Sequence, residues 1–170
     1  MTSRSNVYLS LGSNIDPQNN LLQAVELLRT KVTVAAISPV FRTTPQGYAD
    51  QADFLNMAVL IQTDLSPITL KHDVLDWVEH KLKRQRDPNN KNAPRTIDLD
   101  ISLWDNAVFE YGVRLWRVPD PDILRFAHVA IPLAAIAPNY IHPTEKRTLA
   151  QIAAGFRDAK FERVPLRFEG

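Results

Sequence analysis

Apolar and polar positions along the chain alternate in some stretches and recur every three or four residues in others. Val7, Leu9 and Leu11 alternate with Tyr8 and Ser10, which predicts a strand ending at Gly12-Ser13-Asn14. Asp16-Pro17 follows as a helix start, an N-cap before a first-turn proline, and Leu21, Leu22, Val25 and Leu28 supply the helical face. Val32, Val34 and Ile37 continue to Phe41 as a second strand, and 42–53 is irregular around Pro45 and Gly47. A third strand covers 57–63. Ser66 then caps a second helix whose Leu75, Val78 and Leu82 share one face. A polar loop leads into a fourth strand from Ile97, in which Ile97, Leu99, Ile101 and Leu103 alternate with Asp98, Asp100, Ser102 and Trp104.

This order, β-α-β-β-α-β, predicts an α+β fold of the ferredoxin-like type with C-terminal additions, in one domain over 1–170. Asp105-Asn106 predicts a turn into a short strand around Val108. The stretch 119–138 predicts short helical pieces, and Val164, Leu166 and Phe168 a final strand.

The fourth strand carries the chemistry. Residues i and i+2 of a strand share a face, so Asp98 and Asp100 project side by side, roughly 6–7 Å apart from the strand rise. Adjacent carboxylates repel unless a cation or proton lies between them. Mg²⁺ suits such a pair, because it takes one or two carboxylates and completes its shell with water and phosphate. The plain alternative is two solvated aspartates on an exposed face.

Charge changes the picture. The chain carries 20 basic and 19 acidic residues, net +1. Residues 81–95 nevertheless concentrate Lys81, Lys83, Arg84, Arg86, Lys91 and Arg95 around one acid, Asp87. A charge run is ordinarily a solvated helix end. Here it leads straight into the carboxylate pair, and cations beside a metal are what a polyphosphate requires. Arginine suits phosphate oxygens best through its planar fork.

Composition narrows the rest. There is no cysteine, which excludes disulfides, thiolate catalysis and Cys-ligated zinc, and fits a cytoplasmic protein. No apolar run is long enough to span a membrane, and no signal-peptide pattern precedes the first strand. Near-neutral charge and 8% aromatic residues argue against a nucleic-acid-binding module. No Walker A string occurs. His72, His80, His128 and His142 are scattered without metal-ligand spacing.

Four ordered motifs then stand out: 9–14 (LSLGSN), 41–47 (FRTTPQG), 51–56 (QADFLN) and 94–100 (PRTIDLD). Together, from about residue 7 to 138, they resemble the 6-hydroxymethyl-7,8-dihydropterin pyrophosphokinases, folate-pathway enzymes that move a pyrophosphoryl group from ATP to a pterin alcohol. The resemblance implies that Asp98 and Asp100 bind two Mg²⁺ ions across the ATP phosphates. It implies that Arg84 and Arg86 act from a mobile catalytic loop, with Glu79 as the acid before them, and that Arg95 lies beside the transferred group. Ile101 matches an apolar contact to adenine. Asn56 matches the reader of the pterin edge, Phe54 an aromatic face against its ring, and Thr43, Thr44, Pro45, Gln46 and Gly47 the loop completing that pocket. ATP and a reduced pterin are the implied partners, with no nucleic acid or membrane, and a monomer is expected.

The chain also departs from the family pattern. Lys91-Asn92-Ala93 stands where an Arg-Trp-Gly is usual, in a loop about one residue longer. Asp120 falls where a His would contact ATP, Phe126 where an Arg would contact phosphate, and His128 where a Phe would stack on the pterin. Arg114 or Arg125 is the replacement cation. The alternatives are a paralogous Mg²⁺-dependent kinase acting on a related pterin or another alcohol, and a non-catalytic nucleotide- or pterin-binding homologue.

Overall fold

The structure, a computed structural model, describes residues 3–43, 52–85, 88–89 and 94–169. Strand β1 (Ser5–Ser13) leads to helix α1 (Pro17–Arg29), then β2 (Thr33–Ile37), β3 (Val40–Thr43) and β4 (Phe54–Thr63). Helix α2 covers 67–81, with α-helical ends Pro67–Thr69 and Asp76–Lys81 around a π-helical stretch, Leu70–Leu75. Next come β5 (Asp98–Trp104), the hairpin β6 (Phe109–Tyr111) and β7 (Trp116–Val118), helices α3 (Asp122–Arg125), α4 (Ala127–Ile136) and α5 (Leu149–Ala154), and β8 (Glu162–Val164).

This is an α+β architecture with a central six-stranded sheet flanked by helices. The strand order is β5-β1-β4-β3-β8, with β2 also on β4, and each of these pairs is antiparallel. Because side chains alternate across a sheet, its two faces build two cores. On one face Val7, Leu9, Leu11, Met57, Val59, Leu99 and Ile101 pack with Leu21, Val25 and Leu28 of α1 and Leu70, Val74 and Val78 of α2. On the other, Ala58 and Leu103 meet Ile123, Val129, Ala130, Leu133, Leu149 and Ile152 of the C-terminal helices. Asp98, Asp100, Ser10 and Gly12 share this second face, since Gly12 pairs with Asp98 and Ser10 with Asp100.

Several local expectations need correction. The second strand is two: Pro39 has no N–H to give, and Ser38 bridges the break by accepting the Ala58 N–H on Oγ at 2.8 Å. Asp16 does stand at the N-cap before Pro17, but it is left-handed (φ 43°) and its carboxylate accepts from Asn19 instead of a backbone N–H. The alternation of the fourth strand also fails partway. Tyr8 pairs with Leu103 and Leu9 with Ile101, so Ser102 is an extra residue in β5. That bulge sends Leu103 into the second core and Trp104 into the first.

Ser66 does cap its helix, accepting the Thr69 N–H at 3.3 Å. At the C-terminal end only 162–164 form a strand, pairing Val164 with Val40, while Leu166 and Phe168 pack against the core without strand pairing. Helix α5 was not foreseen, although the capping box of Thr148 and Gln151 announced it. Among the described residues no helix is long and apolar enough to cross a membrane.

Candidate active site

A cavity of about 180 Å³ opens on the second face of the sheet, between the ends of β1, β4 and β5 and the C-terminal helices. Gly12, Thr43, Phe54, Asn56, Arg95, Asp98, Asp100, Asp120, Phe126 and His128 all line it. Nine of the side chains singled out from sequence therefore meet in one place: Thr43, Phe54, Asn56, Arg95, Asp98, Asp100, Asp120, Phe126 and His128.

The polar end is built on β3, β4 and the β1 turn. Asn56 is buried and donates from Nδ2 to Thr43 Oγ1 at 2.6 Å. Its Oδ1 lies where a Cβ on Gly12 would come within 2.8 Å, so glycine is required for this approach. Asn14 ties β1 to the segment before β5. Its Oδ1 accepts the Arg95 N–H at 2.8 Å and its own N–H donates to the Arg95 carbonyl at 3.1 Å. Arg95 then lies with its guanidinium 5.6 Å from the Phe54 ring centroid. Across the cavity Phe126 and His128 stack at 5.2 Å and 23°. Burial holds the His128 imidazole below its ordinary pKa, which favours the neutral ring.

The charged end centres on Asp98. Arg84 Nη1 donates to Asp98 Oδ1 at 2.8 Å and to Glu79 Oε1 at 2.9 Å, and Arg95 Nη1 donates to Asp98 Oδ2 at 3.2 Å. Local geometry delivers Arg84. After α2, Lys83 turns left-handed (φ 62°), the Lys83 N–H bonds His80 O and the Arg84 N–H bonds Glu79 O, the two bonds of a Schellman motif. The chain is thereby aimed back at the sheet instead of continuing into solvent.

Burial alone would raise the Asp98 carboxyl, but the Arg84 and Arg95 guanidinium groups outweigh it and hold it below the usual range. Asp100 behaves oppositely. Burial and the Asp98 charge raise it well above that range, against the opposing charge of Lys71. No hydrogen bond or ion pair to the Asp100 carboxyl occurs among the described residues. Asp100 is half-buried at the cavity wall, and two carboxyls side by side there suit a cation between them. Burial also pushes Asp120 up to about 6.

These donors fit Mg²⁺. No group of three or more acidic, histidine or cysteine side chains is placed to chelate an ion among the described residues. Two carboxylates suffice for an ion that takes its other oxygens from phosphate and water. Arg84 Nε is buried without a hydrogen-bond partner, and Arg84 lies behind Asp98 rather than on the cavity wall.

Other expected residues lie elsewhere. Ile101 is 4% exposed within the first core and does not line the cavity. Arg114 is exposed in the β6–β7 turn, and Arg125 is exposed and pairs with Asp122 at 3.7 Å. Glu79 is 4% exposed beneath β5. Thr44, Pro45, Gln46, Gly47, Arg86 and Lys91-Asn92-Ala93 lie outside the described residues. Ser10 and Gly12 also line the cavity, and their place in the 9–14 motif is the sequence signal for them.

Comparison with known proteins agrees with this geometry. Residues 8–138 match the family described as 7,8-dihydro-6-hydroxymethylpterin-pyrophosphokinase (HPPK). The chain is 42% identical over 132 residues to the 2-amino-4-hydroxy-6-hydroxymethyldihydropteridine pyrophosphokinase of Bacillus subtilis, covering 76% of each chain. It is 34% identical over 146 residues to the Aquifex aeolicus enzyme of the same name, covering 85% of this chain and 88% of that one. A solved Plasmodium falciparum HPPK-DHPS triple mutant superposes with a TM-score of 0.75 at 13% identity, over 92% of this chain and 44% of that one, a likeness of fold. The chain belongs to the 7,8-dihydro-6-hydroxymethylpterin-pyrophosphokinase family.

Proposed function

We propose that this cavity transfers the β,γ-pyrophosphoryl group of ATP to the hydroxymethyl oxygen of 6-hydroxymethyl-7,8-dihydropterin. As a family member the chain is an ATP-dependent pyrophosphokinase acting on a dihydropterin in folate biosynthesis. The observation that carries the site assignment is the convergence of Asp98, Asp100 and Arg95 with Asn56 and Phe54 around one cavity. A metal–phosphate end thus meets an end suited to a flat, hydrogen-bonding heterocycle.

Asp98 and Asp100 would hold two Mg²⁺ ions, which when bound neutralise phosphate charge and polarise the group in transfer. Arg95 lines the cavity and offsets charge on the phosphates, with Arg84 adding positive charge from behind Asp98. Asn56 and Thr43 hold the pterin edge, while Phe54 and His128 offer rings to its faces. The pterin oxygen attacks the β-phosphorus, the bond from that phosphorus to the α-phosphate oxygen breaks, and AMP leaves. Orientation of the two substrates accounts for much of the rate, as in other phosphoryl transfers. We take the sheet order as the ferredoxin-like arrangement, with both ends on one face, and residues 1–170 as one catalytic unit.

The test is Asp98→Asn and Asp100→Asn, each changing a carboxylate to its near-isostere. Both should stay folded at 25 °C, Asp98→Asn with a lower melting temperature because it gives up its pairing with Arg84 and Arg95, and both should lose at least about a hundredfold in turnover. Either variant retaining more than a tenth of wild-type turnover removes the metal assignment.

A further inference from the structure

Glu79 does not lie in the cavity, yet it touches both halves of the charged end. Strand β5 is at one edge of the sheet, paired with β1 on one side only. An edge strand leaves every second backbone N–H without a ladder partner. The Leu99 N–H, between Asp98 and Asp100 in sequence, meets Glu79 Oε2 at 3.1 Å. The other oxygen, Oε1, accepts from Arg84 Nη1 at 2.9 Å, and the same Nη1 donates to Asp98 Oδ1 at 2.8 Å.

The four groups form a circuit: Leu99 backbone, Glu79 carboxylate, Arg84 guanidinium, Asp98 carboxylate. Its side chains are well withdrawn from water, with Glu79 and Arg84 at 5% and 9% side-chain exposure and Asp98 at 27%. We propose that Glu79 is the positioning residue of the Asp98–Asp100 pair. It substitutes for the absent neighbouring strand at Leu99, fixes the backbone from which both carboxylates project, and anchors the arginine that lies on Asp98.

Glu79 does not line the cavity and acts through other residues. One carboxylate suits this task because it has two oxygens at fixed separation. Shortening it by a methylene forfeits one contact, and converting it to an amide replaces one acceptor with a donor. The helix end is fixed by the same circuit, since Arg84 follows the α2 cap by two residues and its N–H bonds Glu79 O at 3.0 Å. The end of α2 and the edge of β5 are therefore joined by side chain and backbone together.

The inference rests on Asp98 and Asp100 being the metal pair, but its readouts need neither pterin nor turnover. Mn²⁺ binding, by electron paramagnetic resonance without nucleotide, is compared for the wild type, Glu79→Gln, Glu79→Asp, Arg84→Met and the double variant Glu79→Gln/Arg84→Met. Glu79→Gln and Glu79→Asp should each weaken Mn²⁺ binding at least fivefold. In the Arg84→Met background the Glu79→Gln loss should shrink to less than twofold, because the pair acts as a unit. Hydrogen exchange in the unmodified protein provides a measurement independent of variant folding: the Leu99 amide should be protected despite lying at a sheet edge.

Mn²⁺ affinity within twofold of wild type in both Glu79 variants overturns the proposal. So does an equal loss from Glu79→Gln in the two backgrounds, or a Leu99 amide exchanging as fast as an open edge. If no Mn²⁺ binds the wild type, the metal assignment fails with it; protection at Leu99 then still tests the backbone contact alone.

Discussion

Arg84→Met is the sharpest perturbation of the charged end. It deletes two hydrogen bonds, at 2.9 and 2.8 Å, and leaves Glu79 and Asp98 with their negative charges at a site where Arg84 itself is 9% exposed. Removing one partner of a buried ion pair costs about 3–5 kcal/mol, because the remaining charge stays desolvated. For a chain of 170 residues, each kcal/mol shifts Tm by about 2–4 °C. The expected fall in EDTA is therefore on the order of 6–20 °C.

Magnesium should then act differently on the two proteins. In the wild type Arg84 engages Asp98 Oδ1 and competes with a cation for it; in Arg84→Met that oxygen is released while Arg95 stays on Oδ2. Millimolar Mg²⁺ should raise the Tm of the variant by several degrees more than that of the wild type, following the mass-action gain of a ligand bound only to the folded state. Differential scanning calorimetry at pH 7.5, with and without Mg²⁺, reads both effects. A variant melting within about 2 °C of wild type in EDTA, or an equal Mg²⁺ shift in both proteins, would refute the reasoning.

Further outcomes follow from single residues. Asp120 has a folded pKa of about 6 against an ordinary 3.8, so folding retains a proton across that window. Its contribution to stability is full below about pH 3.8 and is lost as pH rises to about 6. Asp120→Asn should therefore be the more stable protein in EDTA at pH 7, by up to about 3 kcal/mol, with the difference vanishing near pH 4; equal stability at pH 7 contradicts this. Asn56→Ala should raise the KM for the pterin about tenfold or more, the loss of one or two buried hydrogen bonds, with the KM for ATP nearly unchanged in steady-state kinetics. Gly12→Ala should reproduce much of that effect, since its Cβ would press on Asn56 Oδ1 at 2.8 Å; an unaltered pterin KM shows that the close approach is dispensable.

What was legible in the chain divides along physical lines. Strong period-2 stretches such as 7–11 found their strands, and Ser66 announced its helix, because local pattern and tertiary packing agree there. Asp98 and Asp100 were readable as a pair because strand geometry alone puts i and i+2 on one face. The Ser102 bulge was not readable, since register depends on the partner strand β1 and not on β5 itself. Helix α5 is only six residues long, too short for a periodic apolar face to declare it.

At the site, family resemblance and packing disagreed in instructive ways. Ile101 carries a cavity role by resemblance, yet its side chain points from β5 into the first core, opposite to Asp100. Arg114 and Arg125 were chosen for charge alone, and charge says nothing of direction; both are exposed and neither lines the cavity. Glu79 was visible as an acid ahead of the arginines. That its two oxygens join a helix end to an edge strand required coordinates.

The most direct measurement is ³¹P NMR of the reaction mixture. Purified protein, Mg-ATP and 6-hydroxymethyl-7,8-dihydropterin are followed beside controls lacking pterin or containing Asp100→Asn. The expected result is AMP and a pterin diphosphate appearing together in equal amounts, only with pterin and only with intact Asp100. ADP with a pterin monophosphate, or no pterin-dependent loss of ATP, would contradict pyrophosphoryl transfer at this site.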